Sequence, residues 1–75
     1  MHVLITGATG FVGTYLRQQV IATAGWSLVG TTFPDAAPPS THPQEQFIYL
    51  DLRQVEEVRA LLMDQRPDAI IHLAA

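Results

Sequence analysis

Three glycines, Gly7, Gly10 and Gly13, stand at three-residue intervals just past a short apolar run, and this spacing is the pattern in the chain most suited to chemistry. Where a buried strand runs into such a turn and an amphipathic helix leaves it, the triplet is a fingerprint for the pyrophosphate of a dinucleotide. Gly7 would turn the chain sharply out of the strand. Gly10 would lack the Cβ that otherwise keeps backbone amides away from a diphosphate, and Gly13 would let the helix lie close to the sheet. The amides at the helix start, around Phe11 and Val12, would point toward the ligand, where the helix dipole adds roughly half a positive charge. Thr9, inside the turn, belongs to the same cradle. NAD or NADP is the ligand this chemistry implies. A βα turn that uses glycine for geometry alone is the competing reading, but it does not require three glycines in register with strand and helix.

The elements needed to position that turn can be read on either side of it. Val3 to Thr6 is a β-branched apolar run ended by glycine, the pattern of a strand buried on both faces of a parallel sheet. From Phe11 to about Ala24 a helix is predicted, with Val12, Leu16 and Val20 at four-residue spacing and Ile21 beside them facing inward. Arg17, Gln18 and Gln19 would then face outward, and Gly25 would stop the helix. Ser27 to Phe33 reads as a second strand, after which Pro34, Pro38, Pro39 and Pro43 rule out regular structure to about Gln46. Phe47 to Leu50 reads as a third strand. Gln54 to Gln65 reads as a helix with Val55, Val58, Leu61 and Leu62 on one face, closed by Pro67. Ala69 to Leu73 supplies a fourth strand.

Right-handed crossovers place these strands side by side in the order 3-2-1-4. The fold class expected is therefore α/β, the N-terminal half of a Rossmann doubly wound parallel sheet truncated after strand four. Residues 1–75 would form one partial NAD(P)-binding domain. A chain of 75 residues buries only about 60% of its unfolded surface. Its fourth strand would be an edge, although the run Ala69-Ile70-Ile71 suggests burial between neighbours.

Composition narrows the partners. The chain is 48% apolar with a net charge of −3, and its only basic residues, Arg17, Arg53, Arg59 and Arg66, are scattered instead of lining a stripe. No nucleic acid partner is expected. With no cysteine there is no disulfide, thiolate nucleophile or Cys-based zinc site. His2, His42 and His72 are too far apart to read as a ligand pair. The run Val3-Leu4-Ile5 is too short for a signal peptide or membrane span, so the expected location is cytoplasmic, with no membrane partner.

Thr6-Gly7-Ala8-Thr9-Gly10-Phe11-Val12-Gly13 resembles the start of an extended short-chain dehydrogenase/reductase, the NAD-dependent epimerase/dehydratase group that modifies nucleotide sugars. Asp51-Leu52 after the third strand and His72-Leu73-Ala74-Ala75 at the end of the fourth extend the resemblance across the chain, in the family's order. The resemblance implies that Asp51 accepts a hydrogen bond from the adenine amino group and that Leu52 packs the adenine ring. Asp51 also suits a helix N-cap, and one residue could do both. Leu73, Ala74 and Ala75 would line the floor beneath the adenosine and ribose portions. A lone histidine in an apolar strand is more often a core or helix-facing residue, and His72 carries no catalytic role here.

NAD enzymes usually place an acid at the end of the second strand to bind the ribose 2′-hydroxyl. Here Thr31-Thr32-Phe33-Pro34 occupies that place, with Asp35 late and beyond a proline. Thr32 is therefore the site residue at this point, and the lack of a nearby carboxylate gives NADP a slight preference over NAD. The family's catalytic centre resembles a Tyr-x-x-x-Lys pair, and this chain has no lysine. Tyr15 and Tyr49 are expected to pack, with a hydroxyl reaching the surface. The chain would thus be the cofactor-binding portion of a nucleotide-sugar epimerase, dehydratase or reductase, with no catalytic residue of its own. The nucleotide sugar itself would be a partner only of a full-length parent. The alternative is a non-catalytic dinucleotide-binding or partner-subunit module, and pairing through the exposed fourth strand would allow a homo-oligomer.

Overall fold

The β-branched and apolar runs do form strands, and the two helical patterns form helices on opposite faces of the sheet they make. The structure, a computed structural model, describes residues 1–32 and 42–73. Its elements are β1 (His2–Thr6), α1 (Phe11–Ala22), β2 (Ser27–Thr32), β3 (Glu45–Tyr49), α2 (Val55–Gln65) and β4 (Ala69–His72). The four strands make one sheet in the order β3-β2-β1-β4, with every pairing parallel. This is the 3-2-1-4 order expected from right-handed crossovers. Strand β3 begins at Glu45, two residues before the start read from the sequence, because Pro43 breaks only what precedes it. Phe33, read as the end of the second strand, and the expected loop residues 34–41, with Pro34, Asp35, Pro38 and Pro39, lie outside the described residues, as do Ala74 and Ala75.

Alternation along β1 sends Val3 and Ile5 to one face and Leu4 to the other. On the first face Val3, Ile5, Ala8 and Leu28 meet Val20 of α1, with Leu16, Ile21, Phe47 and Ile71 packed around them. On the second, Leu4, Val29 and Leu50 meet Leu61 of α2, supported by Val58 and Leu62. Two thin layers thus enclose β1 and β2, whose residues Ile5, Leu28, Val29 and Thr31 are the largest fully buried side chains.

The inward stripe of α1 differs from the expected one. Its buried residues are Gly13, Arg17 and Val20, while Val12 is 53% exposed. Arg17 does not face solvent. Its Nη1 donates to Glu45 Oε2 at 3.4 Å and its Nη2 to Thr14 Oγ1 at 3.4 Å. Its guanidinium lies 5.0 Å from the centre of the Phe47 ring. The guanidinium meets the Phe47 ring and the one acid of β3, so a charged residue joins the inward face of α1 while Val12 lies outside it. The helix also ends earlier than expected, with Thr23 as its C-cap and Gly25 in the left-handed region two residues later. Helix α2 ends on Arg66, whose φ of 45° and amide bond to the Leu62 carbonyl turn the chain before Pro67.

Strand β4 is one edge of the sheet, bonded among the described residues to β1 alone. Ile70 is therefore 55% exposed, and His72 is exposed instead of lying in the core, its Nδ1 2.6 Å from Thr6 Oγ1. Tyr15 and Tyr49 are 61% and 48% exposed, so neither is a packing residue among the described residues. Of the α2 face, Leu61 is buried but Val55 is 64% exposed.

Candidate functional site

The glycine turn leaves β1 at Gly7, whose φ of 68° lies in the left-handed region that a Cβ disfavours. Ala8 then drops onto β2. Its amide donates to the Thr31 carbonyl at 3.1 Å, and its methyl sits where a Cβ on Gly30 would come within 2.7 Å. Gly30 thus makes room for the turn, a role carried by nothing in the triplet spacing. Gly13 seats the helix at the other end: a Cβ there would meet the carbonyl oxygens of Ala8 at 2.6 Å and Gly7 at 2.8 Å. The close approach is to the turn's own backbone, and the sheet comes next to it only through Ala8.

Between these two fixed points Thr9, Gly10 and Phe11 are exposed. Gly10 is the N-cap of α1 and has no side chain to cap it, and no acid occupies the first turn. The first α-helical bond runs from the Thr14 amide to the Gly10 carbonyl, which leaves the amides of Phe11, Val12 and Gly13 ahead of the intrahelical ladder. A helix start so arranged offers donors and a positive dipole end to an anion.

Beside it, at the carboxyl edge of β1, β2 and β3, lies a cleft of about 230 Å³ lined by Gly7, Thr9, Gly10, Thr31, Thr32, Leu50 and Leu52. This is where open α/β sheets bind ligands. Its lining holds neither acid nor base. Thr32 is 3% exposed, and its Oγ1 is buried with no partner among the described residues. An orphan hydroxyl of this kind costs free energy until something bonds it. Leu50, whose amide donates to the Thr32 carbonyl, and Thr31 are lining residues that motif reading missed. Only their position at the strand ends could have found them.

Asp51 stands between two of the lining leucines and does not cap α2, whose N-cap is Gln54 without a side-chain bond. Its carboxylate is held instead by Arg53. The Arg53 amide and Nε donate to Oδ1 at 2.9 and 3.0 Å, and Nη2 donates to Oδ2 at 2.8 Å. These bonds lower the Asp51 pKa to about 2. The same partnership pushes the Arg53 guanidinium further up.

The structure therefore brings Gly7, Thr9, Gly10, Thr32 and Leu52 to one cleft, with Asp51 at its border. Phe11 lies in an adjoining groove with Thr14, Tyr15 and Gln18. Val12 and Gly13 belong to the helix start, and Gly13 is buried. Leu73 is placed elsewhere: it packs on the α1-side core and its amide donates to Thr6. Ala74 and Ala75 lie outside the described residues. Among those residues no group of three His, Asp or Glu side chains could hold a metal ion, and no helix is long and apolar enough to cross a membrane.

The NAD dependent epimerase/dehydratase family matches residues 3–75. The β subunit of methionine adenosyltransferase 2 from Xenopus tropicalis is 36% identical over 72 residues, 96% of this chain and 19% of that protein. Among solved structures, a candidate epimerase from Burkholderia cenocepacia aligns at 39% identity and a TM-score of 0.84, over 99% of this chain and 25% of its own. UDP-glucuronic acid 4-epimerase from Bacillus cereus, solved with NAD, aligns at 30% identity and a TM-score of 0.79, over 100% of this chain and 27% of its own. The chain spans about a quarter or less of the length of these relatives.

Proposed function

The chain belongs to the NAD dependent epimerase/dehydratase family, and from that premise we propose that it is the cofactor-binding portion of a nucleotide-sugar epimerase, dehydratase or reductase. The glycine turn holds the cofactor pyrophosphate. The observation that carries this reading is the exposed, uncapped start of α1 opening beside a cleft at the strand ends. The amides of Phe11 and Val12 bind the diphosphate, Gly10 leaves it room, and Gly13 and Gly30 fix the turn. Asp51 accepts a hydrogen bond from the adenine amino group while Leu52 packs against the ring. When bound, the dinucleotide supplies hydride transfer. This chain's residues bind and orient it. With no lysine in the chain, the proton-moving Tyr-x-x-x-Lys pair is not among its residues, and the nucleotide sugar is a partner of the longer protein. A cytoplasmic location belongs to the same reading.

The slight preference for NADP rests on Thr32, at the place where NAD enzymes usually put an acid. Its unpartnered hydroxyl can bond a ribose oxygen without repelling a 2′-phosphate. Calorimetric titration of the purified chain with NAD and NADP, beside Gly10→Val, tests both parts. We expect micromolar to millimolar binding that Gly10→Val abolishes, with NADP the tighter. Binding that survives in Gly10→Val contradicts the placement of the pyrophosphate.

A second reading, a non-catalytic dinucleotide-binding or partner-subunit module, is favoured by the 36% identity to a protein named as a β subunit. A longer reading frame holding Tyr-x-x-x-Lys supports the enzyme. Its absence supports the module.

A further inference from the structure

The pairing of Asp51 with Arg53 does more than a surface ion pair needs to do. Arg53 is 83% exposed on its side chain, and exposed pairs contribute little to stability, about 0–1 kcal/mol. The geometry is nonetheless multiple and short. Oδ1 receives the Arg53 amide at 2.9 Å and Nε at 3.0 Å, while Oδ2 receives Nη2 at 2.8 Å and a longer branch from Nε at 3.2 Å. The Asp51 carbonyl is held too, accepting the Gln54 amide at 2.9 Å. A carboxylate offers about four lone-pair sites; Oδ1 is filled by two donors, while Oδ2 holds one short bond and the weaker, 3.2 Å half of the branched Nε contact, the one site a stronger donor would displace. The planar fork of arginine fixes the carboxylate's rotation, which a lysine ammonium cannot do.

We propose that Arg53 is the positioning residue for base recognition: it locks Asp51 so that one carboxylate oxygen faces the adenine amino group, and it offsets the charge Asp51 would otherwise present to an anionic cofactor. This rests on the reading of Asp51 given above. The cleft lining supports the second half of the role, because it contains no base to balance an unpaired Asp51.

The test compares NAD with its hypoxanthine analogue, in which a carbonyl replaces the adenine amino group, by calorimetry on the chain and three variants. The parent chain is expected to favour NAD by about tenfold, the scale of one hydrogen bond to a charged group. In Arg53→Ala the preference falls to about twofold through weaker NAD binding, with the melting temperature little changed, and Arg53→Lys recovers only part of it. Asp51→Asn removes the preference. If Arg53→Ala keeps the full preference while Asp51→Asn loses it, Arg53 has no positioning role and the reading of Asp51 stands. If Asp51→Asn keeps it, Asp51 does not read the base and the proposal for Arg53 falls as well.

Discussion

A Cβ built on Gly13 would stand 2.6 Å from the Ala8 carbonyl oxygen, whereas one on Gly10 would meet only the Gly7 carbonyl oxygen, at 3.7 Å. Gly10 also has an extended backbone, φ −74° and ψ 178°, which any residue can adopt. The two glycines should therefore respond oppositely to alanine. Gly13→Ala must move backbone, and by the usual scale of overpacking we expect a loss of about 3 kcal/mol in a denaturant titration. Gly10→Ala should fold with a loss of only about 1 kcal/mol, the cost of a poorer N-cap, and lose affinity for NAD by about tenfold or more, roughly 1.4 kcal/mol. Asp51 is the other residue whose behaviour follows from contacts. Its folded pKa of about 2 lies below the ordinary aspartate value of 3.8, so the ionised form is favoured by folding. The contribution of its pair with Arg53 is complete above pH about 5 and fades as pH falls through 4 toward 2. Carboxyl-detected NMR should find Asp51 titrating near pH 2 in the parent chain and only partway back toward the ordinary carboxylate range in Arg53→Ala, which keeps the backbone amide bond to Oδ1.

Helix α1 is held on the sheet through an unusual element-level contact, the buried pair of Arg17 and Glu45, with side chains only 10% and 4% exposed. Removing one partner of such a pair typically costs about 3–5 kcal/mol, because the other charge is left buried, while replacing both with apolar residues is often neutral or better. We expect Arg17→Met to destabilise the chain on that scale and the double change with Glu45→Leu to recover most of it, measured by urea unfolding of the four members of the cycle. Strand order, strand number and both helices were legible in the sequence, since β-branched runs ended by Gly or Pro and four-residue apolar spacing are local signals. The inward face of α1 was not. It depends on Glu45, 28 residues away along the chain, and on the closeness that Gly13 permits, neither of which apolar periodicity measures. The exposure of His72 and Ile70 was hidden for a similar reason: an apolar run reads as buried, but only the neighbours of β4 decide it. Of the residues that form the turn and its cleft, Gly7, Gly10 and Leu52 were readable from their motifs, while Gly30, Thr31 and Leu50 became visible only once strands were paired.

Across the whole molecule, two thin layers must stabilise a sheet whose covering helices leave apolar residues exposed, Phe11 of α1 at 93% and Met63 of α2 at 69%. Stability this close to marginal should respond strongly to a ligand that binds the folded form alone. At a NAD concentration 100 times its dissociation constant the gain is about 2.7 kcal/mol. For a domain of this size that corresponds to a rise in melting temperature of roughly 10–20 °C. Thermal melting followed by circular dichroism should show this rise, and Gly10→Val, which starts from a somewhat lower melt because valine caps a helix poorly, should abolish it.

The central claim, that the glycine turn holds the pyrophosphate, is tested most directly by two-dimensional amide NMR of the chain titrated with NAD. The largest shifts are expected at Gly10, Phe11, Val12 and Gly13, with smaller ones at Thr32 and Leu52, and inorganic pyrophosphate should reproduce the first group alone. Shifts centred instead on the groove formed by Val55, Val58, Leu62 and Met63, with the α1 amides unmoved, would contradict the account.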